Sequence, residues 1–145
     1  MQKIVPFLWF DGKAEEAAKF YVSIFKNSKI LSATPMSVTF QLEGQPFYAL
    51  NGGPQYKFTP AISLFVNCET QQEVDDLWSK LSASPSDEQC GWLKDKYGLS
   101  WQIIPTILGK LMGDKNSKKA GAAVQAMLKM KKLDIKGLQN AFDGA

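Results

Sequence analysis

A strand-length apolar run followed by an amphipathic helical stretch occurs twice in this chain, and an internal repeat limits the possible folds more than any single motif does. The first copy is Lys3 to Phe10, then Asp11-Gly12, then Ala14, Ala17, Ala18, Tyr21 and Ile24-Phe25 at helical spacing. Lys13, Glu15, Glu16 and Lys19 fall on the other side of that helix, which Asp11 or Gly12 is expected to start. The second copy is Ala61 to Asn67, then Glu69-Thr70 as the helix start, then Gln71 to Leu81 with Val74, Leu77, Trp78 and Leu81 on the inner stripe. Superposing the halves sets Ile4-Val5-Pro6 on Ala61-Ile62-Ser63, Glu16-Ala17 on Glu73-Val74, and Phe20-Tyr21 on Leu77-Trp78.

Each copy continues into strands. Asn27-Ser28 ends the first helix, Lys29 to Ala33 reads as a strand running into Pro35, and Val38 to Leu42 alternates. Glu43-Gly44 turns the chain back into Gln45 to Leu50 as a hairpin partner, so the first sixty or so residues read β-α-β-β-β. Asn51-Gly52-Gly53-Pro54 breaks the pattern. In the second half Ser84-Pro85-Ser86 is a loop, Gln89 to Gln102 supplies strands, and Trp101 to Ile104 ends them at Pro105. The pattern then becomes helical: Thr106 to Met112, Ser117 to Lys131, and Asp134 to Phe142 with Asp134 as N-cap. Val124, Met127, Leu128, Leu133, Ile135, Leu138 and Phe142 in this tail need something to lie against, either the sheets or a second subunit.

A chain of 145 residues with 45% hydrophobic and 21% charged residues belongs to the ordinary globular class, and its apolar runs are too short to cross a bilayer. No signal-peptide pattern precedes them, so a cytoplasmic protein is expected, and Cys68 and Cys90 do not suggest a disulfide framework. Every basic residue is a lysine, which removes guanidinium clamps, the usual general base near neutral pH and the commonest metal ligand. The net charge of +3 does not argue for nucleic acid. Lys115, Lys118, Lys119, Lys129, Lys131, Lys132 and Lys136 are expected on a solvated helix face, because no aromatic residues are interleaved for base stacking.

Gln89-Cys90-Gly91-Trp92-Leu93-Lys94-Asp95-Lys96-Tyr97-Gly98-Leu99-Ser100-Trp101-Gln102 is the most concentrated candidate for a site. It reads as two strands joined by a tight turn, carrying rings and amides suited to a small-molecule pocket. Trp9, Asn51, Gln89, Trp92, Trp101 and Gln102 are the expected pocket residues. Catalytic residues are not evident; the weak candidates are Cys90, if Lys94 or Lys96 lies near it, Asp95, whose simpler role is to make a turn, and Tyr48. Cys68 stands before a helix, where an N-terminus would favour its thiolate, although capping and packing explain it equally well.

Pro6 to Ala17 with Phe20-Tyr21, Ala49 to Gly53, Phe65 to Cys68, Gln89 to Asp95, and Met127 to Lys132 together resemble the PhnB-like branch of the vicinal oxygen chelate superfamily. That branch is described as 3-demethylubiquinone 3-methyltransferase-like and is related to glyoxalase, bleomycin-resistance and dioxygenase proteins. The resemblance implies an α+β fold of two βαβββ modules forming curled mixed sheets, a ligand pocket in each curled sheet, and a homodimer. The chain is then a single domain, residues 1–145, with module one at 1–55, module two at 60–105 and a helical tail at 106–145.

Metal-using members of the superfamily place ligands at positions that fall near Pro6, Tyr48, Ser63 and Gln102. These side chains are poor donors for divalent catalytic metals, so no metal and no cofactor are expected. A methyltransferase of the nucleotide-binding type would need a helix after its glycine-rich turn. Pro54-Gln55-Tyr56-Lys57-Phe58-Thr59-Pro60 after Gly52-Gly53 instead reads as an extended connector. The favoured expectation is a metal-independent protein that binds an aromatic or apolar small molecule, with self-association and without nucleic acid or membrane as partner. The alternative is a lyase, isomerase or quinone-directed methyltransferase.

Overall fold

A computed structural model of the chain describes residues 2–145. It divides into two compact units, Met1–Phe58 and Thr59–Ala145. Each contains a helix packed on a curled mixed sheet, the α+β class expected from the repeat.

The first unit runs β1 (Phe7–Phe10), α1 (Ala14–Ile24), β2 (Lys29–Ala33), β3 (Ser37–Leu42) and β4 (Gln45–Asn51), with sheet order β1-β4-β3-β2. β1 lies parallel to β4, from Phe7 opposite Tyr48 to Phe10 opposite Asn51, and β3 and β4 form the antiparallel hairpin turned at Glu43-Gly44. Strand alternation buries Val38, Phe40 and Leu42 on the face that α1 covers with Ala14, Ala17, Ala18 and Tyr21. Three alanines on that stripe let the helix sit close to the sheet, and Tyr21, Phe40 and Phe47 stack in sequence, with ring centroids 6.4 and 5.3 Å apart.

Helix α1 begins later than Asp11 or Gly12. Gly12 takes φ +73° in the turn, and Lys13 provides no side-chain cap. The Ala14 N–H donates to Asn51 Oδ1 at 2.8 Å, so the end of β4 supplies the cap that the local sequence lacks. β1 is also shorter than the apolar run, since Ile4 is exposed and the strand begins only at Phe7.

The second unit runs β5 (Ser63–Cys68), α2 (Gln71–Leu81), β6 (Trp92–Lys94), β7 (Ser100–Pro105), α3 (Thr106–Met112), α4 (Ser117–Leu128) and α5 (Ile135–Asp143). Its sheet order, β5-β7-β6 with β5 parallel to β7, repeats the first three positions of the first sheet. Between α2 and β6 the chain forms a 3₁₀ turn at Pro85–Asp87 and a single bridge from Gln89 to Trp92, so a further paired strand is absent there among the described residues. Helix α2 has the same 11-residue length as α1 and is capped locally, by Thr70 accepting from the Glu73 N–H. It buries Val74, Leu77 and Leu81, whereas Trp78 is half-buried and donates through Nε1 to Glu88 at 3.1 Å.

The tail lies against its own unit. Leu108, Leu111, Ala123, Leu133 and Leu138 join Ile104 of β7 in one buried cluster, with Met127 and Phe142 packed at its edge. Helix α4 stops at Leu128, three residues short of Lys131, and Leu128 is exposed. Asp134 caps α5 by accepting from the Gly137 N–H. The connection between α4 and α5 is pinned by one amide: Gln71 Nε2 donates to the Leu133 carbonyl at 3.0 Å, and Gln71 Oε1 accepts from the Ile135 N–H at 2.7 Å.

Beside this clamp, Cys90 (φ +53°) and Gly91 (φ +88°) are both left-handed. Their N–H groups donate to the Met130 and Lys131 carbonyls at 2.8 Å each, while the Gly91 carbonyl accepts from Ile103 of β7 at 2.8 Å. A β-carbon on Gly91 would stand 2.7 Å from Ile104 Cδ1 and 3.1 Å from Leu133 Cδ1; one on Gly98 (φ +84°) meets nothing within 4 Å. Both positions carry the left-handed penalty of about 1–2 kcal/mol for alanine, but only Gly91 adds overpacking of about 1–3 kcal/mol. In urea titrations Gly98→Ala is expected to cost about 1 kcal/mol and Gly91→Ala about 3 kcal/mol. Equal losses would remove Gly91 from its place as the joint between sheet and tail.

Candidate functional site

The concave face of the second sheet carries an open cleft of about 400 Å³. Phe65 and Asn67 of β5, Trp92 of β6, and Gln102 and Ile104 of β7 form its floor, and Cys90 lies at the bend leading into β6. The tail supplies the opposite wall with Thr106, Leu108, Gly109 and Met112 of α3 and Met127 of α4. No lining residue is charged. A volume of this order falls in the usual range of small-molecule pockets, roughly 300–1,000 Å³.

Strand register explains which aromatic residues reach the cleft. Trp92 pairs with Gln102, and Phe65 pairs with Gln102 from the other side, so these three share a face. Trp101 is the next residue along β7 and points the other way: it is 2% exposed, pairs with Leu93, and donates through Nε1 to Asp95 Oδ2 at 2.9 Å. Gln89 is exposed and outside the lining. Of the four pocket residues expected in this stretch, the cleft therefore brings together Trp92 and Gln102.

Trp9 and Asn51 belong to the first unit, where both are engaged by their own backbone. Trp9 Nε1 donates to the Gly53 carbonyl at 2.9 Å, its indole covers Gly52 so closely that any β-carbon there would collide with it, and Tyr56 meets it edge-on at 5.0 Å. Asn51 accepts from Ala14 through Oδ1 and donates through Nδ2 to the Pro35 carbonyl at 3.0 Å. The Gly52-Gly53 turn is thus closed over by a tryptophan of the same chain, and no helix follows it before β5.

Asp95 is 3% exposed and organises the β6–β7 turn. Its Oδ1 accepts from the Tyr97 and Leu99 N–H groups at 2.8 and 3.1 Å, and its Oδ2 holds the Trp101 indole. Tyr48 is half-buried and meets Phe7 edge-on at 6.2 Å. The two lysines on which activation of Cys90 would depend have other partners, Lys94 Nζ with Asp87 at 3.7 Å and Lys96 Nζ over the Tyr97 ring at 5.5 Å. Cys68 is the reverse of an activated thiol: burial first, then the Glu73 and Glu69 carboxylates, push it up to about 12. The residues missed by sequence reasoning are Phe65, Asn67 and the tail wall. Phe65 carried a signal, being an aromatic residue on the strand parallel to β7, but the tail wall depends on a chain reversal that no local pattern encodes.

The model of the 3-demethylubiquinone-9 3-methyltransferase family matches residues 2–104. The chain belongs to this family. A PhnB protein from Bacillus cereus, provisionally described as a 3-demethylubiquinone-9 3-methyltransferase, is 40% identical, with 72% of this chain covering 100% of that one at a TM-score of 0.62. Protein PA1353 from Pseudomonas aeruginosa shares the fold at 19% identity, TM-score 0.55, with coverage of 72% and 98%. A glyoxylase/bleomycin resistance protein/dioxygenase domain from Frankia sp. is 15% identical, TM-score 0.49, with coverage of 72% and 92%. Among curated proteins none matches the chain. The family match ends inside β7, so α3, α4 and α5, including Met127 to Lys132, lie beyond it.

The metal positions implied by the superfamily do not fit a divalent ion. In the first unit Pro6 offers its carbonyl to the Tyr48 N–H at 3.0 Å, and in the second Gln102 Nε2 donates to Ser63 Oγ at 2.9 Å. None of the four is an imidazole or carboxylate, and Gln102 turns a donor toward Ser63. Among the described residues no group of three or more His, Cys, Asp or Glu side chains could hold a metal ion, and no helix is long and apolar enough to cross a membrane.

The two cysteines should separate chemically. In the native protein at pH 8, N-ethylmaleimide is expected to modify Cys90 and leave Cys68 intact, with both reacting in guanidinium chloride. Peptide mapping reads the difference; native labelling of Cys68 would show that its site opens.

Proposed function

We propose that this protein is a metal-independent binder of an aromatic or apolar small molecule, held in the cleft of its second unit. The observation that carries the reading is the cleft itself: an indole, a phenyl ring and apolar side chains surround about 400 Å³, with the Asn67 and Gln102 amides, the Thr106 hydroxyl and the Cys90 thiol as the polar groups and no charged side chain in the lining. Such a surface holds a ligand by burial and ring contact, each aromatic side chain adding about 0.5–1.5 kcal/mol beyond its buried area.

The family's methyltransferase description receives no support from the residues here. A methyl donor of the sulfonium type needs carboxylates or backbone amides placed for its charged groups; the cleft has no carboxylate, and the Gly52-Gly53 turn is occupied by Trp9. Titration with 4-nitroanisole, a neutral aromatic quencher, is expected to quench tryptophan emission saturably, and Trp92→Ala to weaken that binding about tenfold, roughly 1.4 kcal/mol. Unsaturable quenching, or stoichiometric binding of S-adenosylmethionine in calorimetry, would overturn the reading.

Self-association is part of the same proposal. Ile4, Phe7, Met36 and Tyr56 of the first unit are each more than half exposed, apolar surface of a kind that partner chains cover. Static light scattering at micromolar concentration should return the mass of two chains, and the mass of one would exclude the dimer.

A further inference from the structure

We propose that the C-terminal helices are part of the ligand site and restrict it to an uncharged molecule, an inference that rests on the binding reading above and names the class of ligand. The match to the family ends at residue 104, and the wall facing Phe65 and Trp92 is built entirely beyond it, by α3 and by Met127 of α4. That wall is fixed to the unit. The Gln71 amide holds the residues on either side of Asp134, and the Cys90 and Gly91 N–H groups hold Met130 and Lys131. Lys132 Nζ pairs with Asp75 at 2.9 Å and Lys131 Nζ donates to the Pro85 carbonyl at 3.1 Å, so tail cations are tied outside the cleft.

The polar groups in the lining define what the ligand must bring. Gln102 gives its Nε2 to Ser63, which leaves its Oε1 as a fixed acceptor for a hydroxyl or N–H of the ligand. Asn67 is exposed on the same sheet face with no side-chain hydrogen bond to another described residue. Thr106 donates its hydroxyl proton to Glu69 at 3.2 Å and does not offer it inward. An anion entering here would lose water and meet no cation, and no carboxylate lines the cleft for a cation, since Glu69 stands behind Thr106 and accepts its hydroxyl proton. A neutral, mainly aromatic molecule with a hydroxyl or amide meets every group present.

Gly109 makes the wall testable without disturbing the fold. It lies inside α3 and lines the cleft, and a β-carbon there meets nothing within 4 Å. Leucine at this position favours the helix over glycine and places its side chain in the open space. The probes are 2-naphthol and 2-naphthoate, of similar shape but neutral and anionic, and the readout is protection of Cys90 from N-ethylmaleimide in the full-length protein. We expect 2-naphthol to protect with a dissociation constant at least tenfold lower than that of 2-naphthoate. Gly109→Leu is expected to weaken 2-naphthol at least tenfold while its thermal midpoint is unchanged or raised. Equal protection by both probes would overturn the restriction to neutral ligands. Unchanged 2-naphthol binding in Gly109→Leu would overturn the tail wall and leave the binding reading standing. Failure of 2-naphthol to protect the wild-type protein would overturn both.

Discussion

The bend at Cys90 and Gly91 is the point on which the second unit depends. Two successive left-handed residues turn two N–H groups toward the tail and one carbonyl toward β7, so a single dipeptide joins the sheet, the α4–α5 connection and the mouth of the cleft. Gly91 has to be glycine because Ile104 and Leu133 close over it from the two sides being joined. Cys90 tolerates its conformation while its side chain borders open space in the cleft. Without this bend, β6 would not pair with Gln102 through Trp92, and the tail would lose its backbone contact with the sheet.

What the sequence made legible follows from local physics. Helices α2 and α3 begin and end where their apolar spacing and flanking residues place them, because Thr70 caps one and Pro105 starts the other. Helix α1 was displaced because its cap comes from Asn51, far along the chain, and α4 was shortened where Met130 and Lys131 turn to meet Cys90 and Gly91. The family was legible too, in four segments spread over the matched region, while Met127 to Lys132 lies beyond it. Trp101, expected in the pocket, faces away from it because neighbouring residues on a strand face opposite sides, so Trp101 and Gln102 cannot both face the cleft from an extended β7.

The remaining differences concern polar groups that looked free and are not. Asn51 and the Trp9 indole have ligand-like chemistry, yet each satisfies groups of its own unit that would otherwise be left without partners, and Asp95 makes the turn that its sequence context indicates. An unpaired polar group in a protein interior costs about 1–3 kcal/mol, and a cap or turn carboxylate relieves several such groups at once. Residue type alone therefore cannot separate a structural amide from a binding one. Asn67 and Gln102 differ because they sit on a sheet face bordering open space, with hydrogen-bonding capacity left over.

The tail's lysines acquire a definite meaning in this arrangement. A basic excess at the end of a chain suggests an anion-binding surface, but Lys131 and Lys132 act as staples on the outer side of the unit, and Lys119 lies 5.6 Å from the Phe142 ring centroid. Each contact is weak by itself, since exposed ion pairs contribute about 0–1 kcal/mol. Their direction matters more than their strength, because they leave the inner side of the tail to Leu108, Met112 and Met127. The same helices thus present charge to water and an uncharged wall to the cleft, and a wall already ordered by Gln71 and Gly91 spares an incoming ligand the entropy of ordering it.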